Sequence, residues 1–212
     1  MQVSFLPTIG CLKNEKPMIN KKTQIVLFVL VALAQLYVPA KMIWDQEDVL
    51  KNGSEYKFKT DPVDPNDPFR GKYITLSFDN NTFEVKNKMD WQRGDEIYVS
   101  ITNGSDGFAK IASISKEKPE NNQDYVKAKV GFAIGKGSKI SIDYPFDTYY
   151  MEESKAYDAE LTYQRSQLDS TQITFALVHI KNGKAVLKNV LIDGVPIREI
   201  VKKEHLKNES EK

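Results

Sequence analysis

The feature that most constrains this chain is a run of apolar residues near its N-terminus. Every residue from Ile25 to Ala34 is apolar, and apolar residues predominate from there to Trp44. A helix of these 20 residues would be about 30 Å long, which is the thickness of the hydrocarbon core of a bilayer. We therefore predict a transmembrane signal-anchor helix with a short extension over residues 23–52.

Charge on one side of this run predicts its orientation. Lys21 and Lys22 precede it directly, and cytoplasmic flanks of membrane spans are enriched in lysine and arginine. We expect residues 1–22 in the cytoplasm and the body of the chain on the extracytoplasmic side. The helix is expected to end at Asn52, because Gly53 is a natural C-terminal stop.

Two alternatives compete with a retained anchor. A pair of lysines, the apolar segment 25–31 and Ala-Leu-Ala at 32–34 match the regions and cleavage site of a signal peptide. A buried core helix would show an apolar stripe rather than a uniformly apolar run. The anchor is favoured because apolar residues continue beyond the cleavage point. Met18 is a second candidate start, which would make residues 1–17 an upstream extension.

Charge and cysteine content argue against several classes of protein. The chain carries +1 in total, and residues 1–41 hold five lysines against one glutamate, which leaves −3 for residues 42–212. A mildly acidic body argues against nucleic-acid binding, which needs a basic surface. Cys11 is the only cysteine, so an intrachain disulfide and a thiolate metal cluster are excluded. His179 and His205 lie in no metal-site pattern, and we predict neither metal nor cofactor.

The body of the chain alternates between polar and apolar residues from Tyr56 onward, as β-strands with one buried face do. Clusters of Asn, Asp, Gly and Pro divide many short strands, which indicates a small barrel or sandwich. We predict a mainly β exported domain over 54–200 and a charged tail at 201–212. The alternation places two sets of side chains in the core: Ile74, Leu76 and Phe78, then Ile97, Val99 and Ile101.

Two later segments carry other local signals. Residues 152–167 are rich in helix formers and begin with acidic residues, which a helix dipole favours. We predict one internal helix there. Asn182 and Gly183 separate two apolar runs and favour a two-residue hairpin turn, so we expect a β-hairpin over 172–197.

Two similar phrases, FRGKYITLSF from Phe69 and QRGDEIYVSI from Gln92, place Arg-Gly just before a strand. Glycine supplies backbone freedom for a turn or bulge, and arginine binds carboxylates bidentately. We interpret the repeat as a device of the fold. It predicts two adjacent strands that enter a sheet in the same way.

Three Asp-Pro steps between residues 61 and 68 precede the first phrase. Proline fixes its own φ and disfavours helix at the residue before it, so this segment is a stiff, extended arm. We expect its aspartates to form a latch with the following arginine. The alternative is a small polar recognition site or a weak calcium site, although the EF-hand spacing is absent. The candidate latch or binding residues are Asp64, Asp67, Arg70, Tyr73, Arg93 and Asp95.

The segment YPFDTYYMEES at 144–154 concentrates aromatic side chains before two glutamates. Such a cluster lines a ligand groove or packs the core where a strand meets a helix. Two adjacent glutamates on a strand would face opposite ways, so they do not suit a general acid–base pair. The candidate groove residues are Tyr144, Tyr149, Tyr150 and Glu152.

The apolar anchor followed by MIWDQEDVLKNG and PVDPNDPFRGKYITLSF resembles the GDYXXLXY family of bacterial membrane-anchored proteins. The resemblance covers most of residues 25–200. It implies a β domain anchored to the bacterial cytoplasmic membrane, with no defined activity. In the signature strand, Gly71, Tyr73 and Leu76 match the family pattern. Lys72 and Phe78 replace the residues that the pattern has at their positions.

No motif in the sequence assigns a reaction. The glycines of GFAIGKGSK do not have Walker spacing, and Ser54 lacks the following methionine of signal peptidases. We expect a non-catalytic interaction or scaffolding subunit that works with integral membrane partners. The alternative is a ligand-binding or signal-peptidase-like hydrolytic domain.

Overall fold

A computed structural model describes residues 20–61, 73–85, 91–120, 123–134, 139–169 and 171–210. The chain divides into two compact units, Met1–Trp44 and Asp45–Lys212. Helix α1, Lys21–Asn52, supplies the described part of the first unit, and its last residues belong to the second.

Helix α1 is long enough and apolar enough to cross a membrane. Its large apolar side chains between Ile25 and Trp44 are exposed, from 47% at Val29 to 78% at Trp44. The helix ends at Asn52 as predicted, and the predicted span lies within it. A signal sequence near an N-terminus meets the same criteria of length and composition.

The second unit is built mainly of strands. Among the described residues it contains twelve strands and two further helices. In chain order these are β1 (Ser54–Asp61), β2 (Tyr73–Thr75), β3 (Ser77–Phe78), β4 (Thr82–Glu84), β5 (Glu96–Asn103), β6 (Ala109–Ser115), β7 (Tyr125–Ile134), β8 (Lys139–Asp143), β9 (Thr148–Tyr150), α2 (Glu153–Leu168), β10 (Thr174–Lys181), β11 (Lys184–Ile192), β12 (Val195–Pro196) and α3 (Ile197–Ser210).

The strands form two five-stranded antiparallel sheets and a two-stranded ribbon. The first sheet has the order β12-β11-β10-β1-β3, the second has the order β4-β8-β7-β5-β6, and β2 pairs with β9. A bridge between Val126 and Gly183 joins the second sheet to the first. Buried side chains from both sheets form one core cluster. The result is a nearly closed, barrel-like shell, which confirms the predicted mainly β architecture.

The alternating residues pack as the sequence predicts. Both predicted sets of core side chains are at most 4% exposed. Full burial of such a side chain contributes about 1.5–3 kcal/mol, so the period-two pattern determines which face of each strand points inward. The first set consists of Ile74 in β2, Leu76 between β2 and β3, and Phe78 in β3. The second set, Ile97, Val99 and Ile101, lies in β5.

The prediction that the two Arg-Gly phrases open adjacent strands is wrong. Strand β2 pairs with β9 and β3 pairs with β1, whereas β5 lies between β7 and β6 in the other sheet. Local likeness determines which side chains of a strand point inward. It does not determine the neighbouring strand, because pairing depends on chain connections and on the shared core.

The predicted hairpin at Asn182 and Gly183 is confirmed. These residues have φ values of 51° and 81°, as the two central positions of a type I′ turn require. Lys181 and Lys184 flank the turn as paired residues of β10 and β11. The backbone N–H of Lys127 in β7 donates to the Gly183 carbonyl at 3.0 Å. The turn therefore contacts the second sheet as well as joining two strands of the first.

Helix α2 lies where one internal helix was predicted, and α3 is an addition that begins at Ile197, before the predicted charged tail, and continues into it. Ile197 and Val201 of α3 are fully buried. His205 Nε2 lies 2.5 Å from Asp158 Oδ2 of α2, which links the two helices. The two buried positions, four residues apart, form a narrow apolar stripe that is inconspicuous among the many charges of this segment.

The last turns of α1 bind to the β10–β11 hairpin. The Asp48 carboxylate accepts hydrogen bonds from Lys181 Nζ with both oxygens at 2.8 Å. Lys184 Nζ donates to Asp45 Oδ2 at 2.6 Å. Val49, between these acids and the end of the helix, is 1% exposed. We call these two ion pairs and Val49 the helix clamp.

The close approach of the end of α1 to β10 predicts that Gly53→Ala destabilises the protein. A Cβ at Gly53 would lie 2.5 Å from the Val49 carbonyl oxygen and 2.9 Å from that of Ile180, and backbone atoms move only at a cost. We expect a loss of about 1–3 kcal/mol in the free energy of unfolding, measured by denaturant titration of the full chain in detergent. Gly104→Ala is the control, because its Cβ meets only the flexible ends of Asp106 and Lys110. Equal stability of the two variants would contradict the clash.

Candidate functional site

The predicted latch lies mostly outside the described residues. Asp64, Asp67 and Arg70 belong to the segment 62–72, so their pairing stays a prediction. Tyr73 begins β2 and lies opposite Tyr150 of β9, with ring centroids 5.8 Å apart. The structure thus brings Tyr73 together with a predicted groove residue.

Arg93 and Asp95 lie in a turn before β5. Asp95 Oδ2 accepts hydrogen bonds from Lys116 Nζ at 2.7 Å and from the Gln92 backbone N–H at 3.1 Å. The Lys116 interaction, followed by that of Gln92, holds the pKa of Asp95 below its ordinary value of 3.8. Gly94 has a φ of 88°, which favours glycine. Arg93 is exposed, and the cation beside Asp95 is Lys116.

Tyr144 of the predicted groove belongs to an aromatic cluster in the core. It is 4% exposed and packs against Phe58, Phe78 and Phe146. Its hydroxyl donates to the Asn80 carbonyl at 3.0 Å. Burial raises the pKa of this hydroxyl well above its ordinary range. The ring therefore packs chiefly in the core, as the alternative interpretation of this segment predicts.

Tyr144 also lines a pocket of about 380 Å³ over β5, β7 and β8. The charged residues of this pocket are Glu96 and Asp143 against Lys127 and Lys129. Two cations oppose two carboxylates, so the lining of this pocket has no net charge.

Tyr149 and Tyr150 lie on opposite faces of β9. Tyr149 is 3% exposed, and the Arg198 guanidinium carbon lies 5.1 Å from its ring centroid. Burial raises the pKa of the Tyr149 hydroxyl, and the charge of Arg198 opposes this effect. Tyr150 is 68% exposed. Because neighbouring side chains of a strand alternate, one tyrosine supports the core and the other faces solvent.

Tyr150 and Glu152 line a second pocket, of about 450 Å³, where β9 ends and α2 and α3 begin. We call it the β9 pocket. Its lining residues are the last residue of β9, the two residues that follow it, one residue from the first turn of α2 and two residues from the first two turns of α3. They are Tyr150, Met151, Glu152, Lys155, Arg198 and Lys202.

The charges around the β9 pocket are unequal. Glu152 Oε2 lies 2.5 Å from Lys155 Nζ, and this hydrogen bond holds the pKa of Glu152 below its ordinary value of 4.5. Arg198 Nη2 donates to the Tyr150 carbonyl at 3.0 Å. Within the described part of the chain, Lys202 makes no ion pair or side-chain hydrogen bond. Three cations against one carboxylate leave the lining two charges positive.

Sequence reasoning identified Tyr150 and Glu152 but missed the three cations of the β9 pocket. Arg198 and Lys202 are four residues apart, which places them on one face of a helix. This spacing carries information only once α3 is known to be a helix. The approach of α3 to the start of α2 depends on tertiary packing, for which a single sequence holds no signal.

The side chains that line the β9 pocket are of types that bind anions and contact rings. Within the described chain, its lining contains no serine, cysteine or histidine. Nor do the described residues bring together three His, Cys, Asp or Glu side chains that could hold a metal ion. Arginine, lysine and an exposed tyrosine are groups that bind anions and stack on rings.

Comparison with known proteins yields one family. A family model described as GDYXXLXY protein matches residues 35–190. No curated protein and no solved structure matches the chain. The matched region includes Tyr150, Glu152 and Lys155, whereas Arg198 and Lys202 lie beyond its end.

The lowered pKa of Asp95 predicts a pH dependence of stability. Ionised Asp95 stabilises the fold fully above its unfolded-state pKa, near 3.8, and this contribution is lost as pH falls through the lower folded-state value. We therefore expect Asp95→Asn to be less stable than the native protein at pH about 7, with the difference shrinking below pH about 3.8. Denaturant midpoints at several pH values measure it. Glu117→Gln, an exposed neighbour, is the control, and a difference that persists unchanged to pH about 2 would contradict the prediction.

Proposed function

The chain belongs to the GDYXXLXY family, and we propose that it is a membrane-anchored extracytoplasmic protein of the bacterial cytoplasmic membrane. In this proposal its β domain is a non-catalytic interaction or scaffolding subunit that works with an integral membrane protein. Helix α1 holds the domain at the membrane surface. The binding chemistry of the β9 pocket is consistent with this function and gives no support to a hydrolytic one.

The observation that carries the proposal is the exposure of α1. Fourteen large apolar side chains between Ile25 and Trp44 are exposed. They lie on all sides of the helix, since the run is uniformly apolar rather than striped. An apolar surface of this extent is unfavourable in water, and a bilayer removes it from water on every side.

The charges at the start of α1 support an outward-facing domain. Lys21 and Lys22 form its first turn, at the end remote from the β domain along the chain. Lysines beside a span favour the cytoplasmic side. With one crossing, the residues after Trp44 then lie outside the cytoplasm.

Two polar features in the middle of the apolar run support an integral membrane partner. Gln35 lies about 15 Å from either end of the segment Ile25–Trp44, and its side chain is exposed. Pro39 lies inside α1. Since proline has no N–H, the Gln35 carbonyl lacks the donor that a helix normally supplies four residues on.

These groups are costly to leave unsatisfied in lipid. The Gln35 side chain offers two N–H donors and an oxygen acceptor, and its backbone carbonyl offers another acceptor on the same turn. An unpaired polar group in hydrocarbon costs several kcal/mol. A neighbouring transmembrane helix with polar side chains satisfies such groups, as is common in helix packing within membranes.

Replacement of Gln35 tests the proposed partner contact. We expect the native protein, purified through a C-terminal tag from detergent-solubilised membranes, to recover an integral membrane protein reproducibly. Gln35→Leu should lower that recovery at least about threefold, which corresponds to an interhelical hydrogen bond of about 0.6 kcal/mol or more. Gln24→Leu, at the edge of the span, is the control. Equal recovery with both variants, or recovery of the chain alone, would count against the proposal.

Topology is tested by reporters fused after Lys212. A phosphatase that is active only outside the cytoplasm should be active in this fusion, and a fluorescent protein that matures only in the cytoplasm should remain dark. The opposite pattern would refute the proposed orientation.

A further inference from the structure

We propose that the β9 pocket binds a phosphate ester, carried either by an anionic lipid headgroup or by a small soluble molecule. This inference goes beyond the interaction function, because it assigns a ligand to the exported domain that requires no protein partner. It rests on the charge, rigidity and shape of the pocket.

The charge of the pocket contrasts with that of the chain around it. Residues 42–212 carry a net charge of −3, yet the lining of the β9 pocket is two charges positive. Several lysines elsewhere in the domain have carboxylate partners, such as Lys116 with Asp95 and Lys181 with Asp48. The excess of positive charge in the pocket is thus a local feature. An anionic ligand would neutralise it.

Arg198 is held in place before any ligand arrives. Its Nη2 group donates to the Tyr150 carbonyl at 3.0 Å, and its guanidinium lies over the ring of the buried Tyr149. The remaining N–H groups of the guanidinium are suited to two parallel hydrogen bonds with phosphate oxygens. A side chain that is already ordered loses little conformational freedom on binding.

Lys202 supplies a second cation without a competing partner. It follows Arg198 by one helical turn, and like charges at this spacing repel each other. No carboxylate lies within ion-pair distance of Lys202 among the described residues. A bound phosphate relieves the repulsion by interacting with both groups.

The helix starts add to the positive potential. Glu152 occupies the N-cap position of α2, and Arg198 is the second residue of α3, so both helices begin at the pocket. The unpaired N–H groups of a helix N-terminus carry partial positive charge and favour anions. This contribution reinforces the three side chains.

The shape of the pocket indicates a ligand larger than phosphate alone. Its volume of about 450 Å³ is typical of small-molecule sites. The exposed ring of Tyr150, supported by Tyr73 at 5.8 Å between centroids, provides a wall for a glycerol or sugar group. Met151 adds an adaptable apolar contact.

Calorimetry with sn-glycerol 3-phosphate tests the proposal. The full chain is placed in nanodiscs of zwitterionic phosphatidylcholine, and we expect saturable binding that weakens with salt, whereas glycerol does not bind. Lys202→Gln should weaken the affinity about tenfold, as expected for one charge-assisted hydrogen bond. The control is Lys203→Gln, which removes the same charge from an exposed neighbour outside the pocket. Glu152→Gln should strengthen binding, because it releases Lys155.

A second set of nanodiscs distinguishes the two sources of phosphate. Some of these phosphatidylcholine nanodiscs contain added phosphatidylglycerol. The others contain a fatty acid, which gives the same surface charge without a phosphate headgroup. Weaker binding of glycerol phosphate with phosphatidylglycerol than with the fatty acid assigns the lipid headgroup as the ligand. Equal binding assigns a soluble ester. Absence of binding in neutral discs, or equal weakening by Lys202→Gln and Lys203→Gln, overturns the proposal.

Discussion

The packing of four aromatic rings is the interaction on which the rest of the β domain depends. Phe58, Phe78, Tyr144 and Phe146 are all buried, and every pair of their ring centroids lies 5.0–5.8 Å apart. The first two belong to β1 and β3, and the others lie between β8 and β9. Aromatic pairs at such distances contribute about 0.5–1.5 kcal/mol beyond their burial. The cluster therefore joins β1 and β3 of the first sheet to the segment that leads from β8 of the second sheet to β9.

The position of β9 in turn produces the β9 pocket. Tyr149 extends the buried core and supports Arg198, whereas Tyr150 faces solvent and accepts a hydrogen bond from the same arginine. Arg198 thus contacts both tyrosines, the ring of Tyr149 and the backbone carbonyl of Tyr150. The pocket is a consequence of core packing at a strand end, where two helices start and their cations converge. The phosphate proposal and the packing of the core share these contacts.

The sequence contained enough information for the elements whose signals are local. Period-two alternation predicted the inward face of β5, and Asn182 with Gly183 predicted the hairpin turn because both tolerate positive φ. Strand partners and α3 depend on tertiary packing, and local patterns carry little of that information. The same holds for the site: Tyr150 and Glu152 stood in a conspicuous aromatic segment, whereas Arg198 and Lys202 required knowledge of where α3 packs.

The β10–β11 turn has a mechanical consequence. It binds the last turns of α1 through Lys181 and Lys184, and its Gly183 carbonyl accepts a hydrogen bond from β7 of the other sheet. A tension applied at Asp45 or Asp48 is therefore divided between both sheets instead of being concentrated on β1.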